Sequence, residues 1–120
     1  MFRRTLPALA VAALAACASV PAPKSELAKA DLAIRTAQQS DAAHYAPLDM
    51  RKAQDAYQAA QKAAEKGDNL QARRLAEDAS AGAELADMKA RAARAKEAED
   101  EARASIKSLD QATGETGKAQ

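Results

Sequence analysis

Gln71-Ala72-Arg73-Arg74-Leu75-Ala76-Glu77-Asp78-Ala79-Ser80-Ala81-Gly82-Ala83-Glu84-Leu85-Ala86, with its continuation to Ala93, is the stretch whose reading decides the fold. Within it Ala72, Ala76, Ala79, Ala83, Ala86, Ala90 and Ala93 alternate spacings of four and three without a lapse. Residues so spaced fall on one face of an α-helix. A face made of methyl groups lets a neighbouring helix approach closely in coiled-coil geometry. Leu75, Leu85 and Met88 flank the ladder and are expected to supply most of its apolar burial. Gly82 is the one weak point, where a slight bend can form. No proline follows Asp68 and the next break is Gly114, so the helix is expected over about 69–111. That is about 60 Å at 1.5 Å per residue.

Working back towards the N-terminus, Gly67-Asp68-Asn69 reads as a tight interhelical turn. Gly67 suits a left-handed C-terminal cap, and the Asp68 carboxylate suits an N-cap. Pro47 fits a first helical turn and discourages helix at Ala46, so a second helix is expected over about 47–66. Its stripe is Met50, Ala53, Tyr57, Ala60 and Ala64. Residues 41–46, with His44 and Tyr45, read as a connection in which Tyr45 packs over the corner. A first helix over about 26–41 would be capped by Ser25, with Leu27, Ala30, Ile34 and Ala37 on one face. The fold class is all-α: a short helix plus an antiparallel helical hairpin with a long C-terminal helix and coiled-coil-like alanine packing.

Towards the C-terminus the third helix becomes highly charged from Arg94 through Arg103. Asp87–Arg91 and Glu99–Arg103 are favourably ordered four-residue ion pairs. Ala95, Ala98, Ala102, Ile106 and Leu109 sketch a weaker stripe. The second helix is about half as long as the third, so the far half of the third lacks support unless the first helix or another protein covers it. Residues 112–120 are expected to be a disordered tail. Large apolar side chains are few, so oligomerisation or a partner helix is expected to add stability.

Composition excludes several function classes. The 18 basic and 17 acidic residues nearly balance, and loss of Arg3 and Arg4 with a signal leaves the chain close to neutral. Nucleic-acid binding needs a basic face, and with 2% aromatic residues there are almost no rings for bases to stack on. No nucleophile–base pair, glycine-rich phosphate loop or metal-ligand spacing is present, so no enzyme is expected. His44 is the only histidine and reads as a solvent-facing loop residue, while Tyr57 reads as a core or interface ring. The acidic residues 97 and 99–101 point in different directions around a helix and read as a solvated face.

The N-terminus carries the clearest address. Arg3 and Arg4 precede an apolar run of about eleven residues, Leu6 to Ala16, far short of the roughly twenty needed to span a bilayer. The residues after the arginine pair do not fit twin-arginine export. Leu14-Ala15-Ala16-Cys17 resembles the lipobox of bacterial lipoproteins. The resemblance implies cleavage before Cys17, which would carry diacylglycerol and an N-acyl chain. Two or more chains make a stable anchor. An ordinary secretory signal with a coincidental cysteine is the alternative, and no second cysteine offers a disulfide. Ala18 lacks the aspartate that retains such proteins in the inner membrane. In a Gram-negative host this implies the inner leaflet of the outer membrane, facing the periplasm. The layout is then 1–16 signal peptide, 17–24 tether containing Pro21 and Pro23, 25–111 helical domain and 112–120 tail.

Residues 27–98 resemble an alanine-rich family of proteobacterial lipoproteins known only as domain of unknown function 4398. Tyr45-Ala46-Pro47-Leu48, Ala53, Ala56, Gly67-Asp68, Ala72-Arg73-Arg74-Leu75-Ala76 and the ladder Ala79, Ala83, Ala86 and Ala90 carry the likeness. Some members carry a following OmpA-like peptidoglycan-binding domain, which is not expected here. The resemblance implies an envelope lipoprotein and no catalytic residues. The Gly67-Asp68 turn also looks like one tetratricopeptide unit, but several repeats are needed to bury a continuous core. The major outer-membrane lipoprotein is a lipidated helix whose wall-linking lysine is C-terminal. Here Lys118 is followed by Ala119-Gln120, so no covalent peptidoglycan link is expected.

The favoured expectation is a lipid-anchored, non-catalytic structural or interaction protein. Its alanine face (Ala72, Ala76, Ala79, Ala83, Ala86, Ala90 and Ala93) would pair with a second copy or an envelope partner. The alternative is a periplasmic peptide- or lipid-binding, chaperone-like adaptor with a groove near Leu75, Leu85 and Met88. No cofactor is expected beyond the lipid on Cys17.

Overall fold

A computed structural model describes residues 20–116. They form four helices: α1 (Lys24–Gln39), α2 (Ala42–Tyr45), α3 (Pro47–Glu65) and α4 (Asn69–Thr116). Among the described residues there is no strand, and the all-α expectation holds. α3 and α4 make the expected antiparallel hairpin: Lys89 Nζ bonds Asp49 Oδ2 at 2.6 Å near one end, and Ala60 packs with Ala76 and Ala79 towards the other. α1 lies alongside in the same direction as α4, tied by Arg73 to Glu26 at 2.8 Å and by Lys29 to Glu84 at 3.6 Å. The architecture is a three-helix bundle from which α4 projects.

The turn between α3 and α4 forms as its residues dictate. Gly67 sits at φ +79°, a left-handed conformation that glycine adopts without a Cβ penalty. The Asp68 N–H donates to the Ala63 carbonyl and the Gly67 N–H to the Ala64 carbonyl, both at 3.0 Å. That pair of bonds is a Schellman cap. The Asp68 carboxylate then accepts from the Gln71 N–H at 3.2 Å, capping α4. Pro47 opens α3, with Ala46 at φ −140° outside the helical region, as a residue before proline requires.

Three boundaries and one short helix differ from the sequence reading. α1 begins at Lys24 with Pro23, not Ser25, at the cap. The Pro23 carbonyl accepts the first helical bond from Leu27 N–H at 3.0 Å, and the Ser25 hydroxyl turns to Glu26 Oε2 at 2.7 Å instead of capping. α1 ends at Gln39, two residues before the expected end, because Asp41 takes φ 63°. Aspartate tolerates that left-handed state better than most residues. It reverses the chain into α2, a single helical turn where a loop was expected. At the other end, residues 112–116, expected as disordered tail, continue α4 to Thr116. One exposed glycine costs a helix about 1 kcal/mol relative to alanine, which is not enough to stop it at Gly114.

The core is alanine. One cluster gathers Ile34, Ala37, Ala42, Ala46, Met50, Ala53, Ala83, Ala86 and Ala90 around the α2 corner. A second gathers Ala30, Ala60, Ala76 and Ala79 near the α3–α4 turn, and Tyr57 packs against both. Ile34 and Met50 are the large members. Leu85 and Met88, expected as main contributors to burial, are instead 42% and 61% exposed. They project from the face of α4 opposite the ladder.

Candidate functional site

The alanine ladder is the spine of the bundle. Ala72, Ala76, Ala79, Ala83, Ala86 and Ala90 are completely buried, and Ala93 at the ladder's end is half-buried. α1 and α3 together cover this face. The expectation that the ladder meets a second copy or an envelope protein is therefore corrected: its partners are the chain's own helices. The spacing was legible, but a methyl stripe fits an internal helix as readily as an external one. Gly82 shows how close the approach is. A Cβ built there would lie 3.4 Å from the Ala53 Cβ, within ordinary contact of α3.

The chain enters the bundle at a defined place. Val20 is half-buried and its carbonyl accepts from Asn69 Nδ2 at 2.7 Å, while Pro23 is fully buried. Val20 of the expected tether is thus tied beside the α3–α4 turn, and Pro23 is buried, while Pro21 and Ala22 between them are exposed. Leu14, Ala15, Ala16 and Cys17, together with residues 117–120, lie outside the described residues.

Polar ties run along the outside of the bundle. Ser25 donates a hydrogen bond to Glu26, which with a backbone bond and the Arg73 guanidinium holds the Glu26 carboxyl below its usual range. At the α1 end, the buried Ser40 hydroxyl lies between the Ala37 carbonyl, 2.9 Å away, and the Asp87 carboxylate. The Ser40 hydrogen bond, then Arg91, lowers the Asp87 pKa. Tyr45 fulfils its expected corner role and adds a bond that sequence did not suggest: its hydroxyl donates to Glu97 Oε2 at 2.6 Å. That bond raises the Tyr45 pKa, because it holds the phenol proton against a carboxylate. His44 is exposed and meets Tyr45 edge-on at 4.8 Å between ring centroids.

Among the described residues no group of three histidine, cysteine, aspartate or glutamate side chains could hold a metal ion. No helix among them is long and apolar enough to cross a membrane. A hollow lined by Lys29, Leu32, Ala33, Thr36, Glu84 and Asp87 has a volume of about 220 Å³. Ligand pockets for small molecules commonly run to about 300–1,000 Å³. Leu75, Leu85 and Met88, where a groove was expected, do not line it. Beyond Tyr45–Glu97 no element among the described residues supports α4: residues 94–114 are exposed, including Ile106 and Leu109.

The fold and surfaces define a class: an alanine-cored three-helix bundle with a long projecting helix. The sequence profile of the family described as a domain of unknown function (DUF4398) matches residues 25–102, and the chain belongs to that family. The match spans α1, α2 and α3 and the packed half of α4, and stops within the projection. No curated protein and no solved structure matches the chain.

Proposed function

We propose that this protein is a lipid-anchored component of the bacterial envelope with a structural or interaction role and no catalysis. The observation that carries the reading is Leu14-Ala15-Ala16-Cys17 closing a short apolar run behind Arg3 and Arg4. Cys17 is the lipidated residue in this reading, with diacylglycerol on its thiol and an acyl chain on its amine. In a Gram-negative host, Ala18 in place of a retaining aspartate leaves the anchored chain to the inner leaflet of the outer membrane, facing the periplasm. The docking of Val20 and Pro23 supports the reading, since the chain enters the bundle beside Asn69, far from the projecting half of α4. A ligand-gripping adaptor has less support, because the hollow beside Leu32 and Ala33 is small and open. Metabolic labelling with palmitate tests the proposal. The intact chain takes up label in the membrane fraction and a Cys17→Ser chain does not. Equal labelling of both, or of neither, contradicts the reading.

A further inference from the structure

The outward face of α4 carries a second seam that no described element covers. Leu85, Met88, Ala92, Ala95, Glu99, Ala102, Ile106, Leu109 and Thr113 follow alternating spacings of three and four over four heptads. This is the a/d pattern of a coiled coil. All of its residues are exposed, and it lies opposite the buried ladder, so the described helices do not use it. Asp78 and Arg74 end the pattern towards the N-terminus.

We infer that this seam pairs with the same seam of a second copy of the chain, antiparallel, with Glu99 beside Ala102 of the partner subunit. Side-chain size selects that register. It sets Met88 against Thr113 of the partner subunit, Ala92 against Leu109 of the partner subunit, and Ala95 against Ile106 of the partner subunit. Each layer then joins one large and one small residue, so the helix spacing stays even. A parallel pair would stack Ile106 and Leu109 on themselves and leave layers of alanine on alanine between them and Met88. It would also place Glu99 on Glu99 of the partner subunit and Arg91 against Lys96 of the partner subunit. Charge agrees with the antiparallel choice at its ends. Lys89, held by Asp49 but with further N–H donors, comes beside Asp110 of the partner subunit. Nearer the centre Lys96 faces Arg103 of the partner subunit, but Lys96 keeps its own Asp100 at 3.5 Å and Arg103 its own Glu99. The bundles lie at opposite ends, each on the side of α4 away from the seam.

The contact is narrow. Two helices about 10 Å wide meeting over about 40 Å bury less than the roughly 1,200 Å² of a standard interface, so the dimer is a weak one. The seam and the lipid anchor are separable claims, and the test uses the full-length Cys17→Ser chain. Sedimentation equilibrium over a wide concentration range reads association, and Ile106→Glu and Leu109→Glu should each raise the dissociation constant at least tenfold. Both side chains are exposed and remote from the core, so circular dichroism of the variants should match the parent. A second readout fixes the register: a short thiol crosslinker is added to mixed Ala92→Cys and Leu109→Cys chains in the Cys17→Ser background. Antiparallel pairing gives the mixed product in excess. A chain that stays monomeric up to about 1 mM, or one whose association ignores Ile106→Glu and Leu109→Glu, overturns the inference. So does crosslinking confined to like positions.

Discussion

At Ala83 and its ladder neighbours a single methyl group fills the space between α4 and the helices that cover it. There is no room for a larger side chain without displacing one of them. Ala83→Leu should therefore destabilise the bundle by about 1–3 kcal/mol, the usual cost of overpacking a filled core. Urea denaturation followed by circular dichroism measures it. Gly82 is different, because its added Cβ meets Ala53 at ordinary contact distance. Gly82→Ala removes a glycine from a helix interior and should stabilise the protein by up to about 1 kcal/mol. A lower denaturation midpoint would mean that α3 is closer than the geometry allows. Asp87 supplies a pH signature. Its carboxyl is lowered by Ser40 and Arg91, so the stabilisation it gives is present above the ordinary aspartate value of about 3.9 and lost as pH falls through the lower folded value. Ser40→Ala should raise the Asp87 titration midpoint observed by NMR and make acid unfolding begin at higher pH. An unmoved midpoint would remove Ser40 as the cause.

Among the elements, the α3–α4 turn and α4 itself are where the sequence spoke most plainly. Gly67, Asp68 and Pro47 each have a local physical reason to stand where they do, and the structure uses all three as expected. Gly67→Ala should cost about 1–2 kcal/mol, since a Cβ disfavours the left-handed state. Thermal unfolding reads that loss, and an unchanged midpoint would contradict the Schellman assignment. The start of α1 was harder to read, because both Pro23 and Ser25 are acceptable near a helix N-terminus and only the burial of Pro23 decides between them. α2 depends on the left-handed Asp41, a conformation that no local pattern announces. The identity of the ladder's partner was not legible either. Heptad spacing specifies a seam and says nothing of whether the facing helix belongs to the same chain. The outer seam is legible in sequence only as the weaker stripe through Ala95, Ala102, Ile106 and Leu109, because four of its positions are alanine or threonine and Glu99 interrupts it. Hydrogen exchange tests the division of α4 into two halves. In dilute protein, amides of residues 94–114 should exchange far faster than those of 72–93, because no described element packs on them. Uniform protection along the 48-residue helix would contradict that division.

For the molecule as a whole, geometry and address combine. α4 is about 72 Å long at 1.5 Å per residue, and the chain enters its bundle beside Asn69. An antiparallel dimer in the inferred register would hold those two entry points about 95 Å apart, at the ends of a rod. With a lipid at each end, such a rod would lie along a membrane surface. The envelope reading rests on Cys17, which makes the chemical state of that residue the most direct test. Intact mass spectrometry of the protein purified from membranes, beside a Cys17→Ser control, reads it. The account predicts a chain cleaved before Cys17 and heavier than its polypeptide by diacylglycerol and an N-acyl chain, with no such addition in the control. An unmodified chain still carrying residues 1–16 would contradict it.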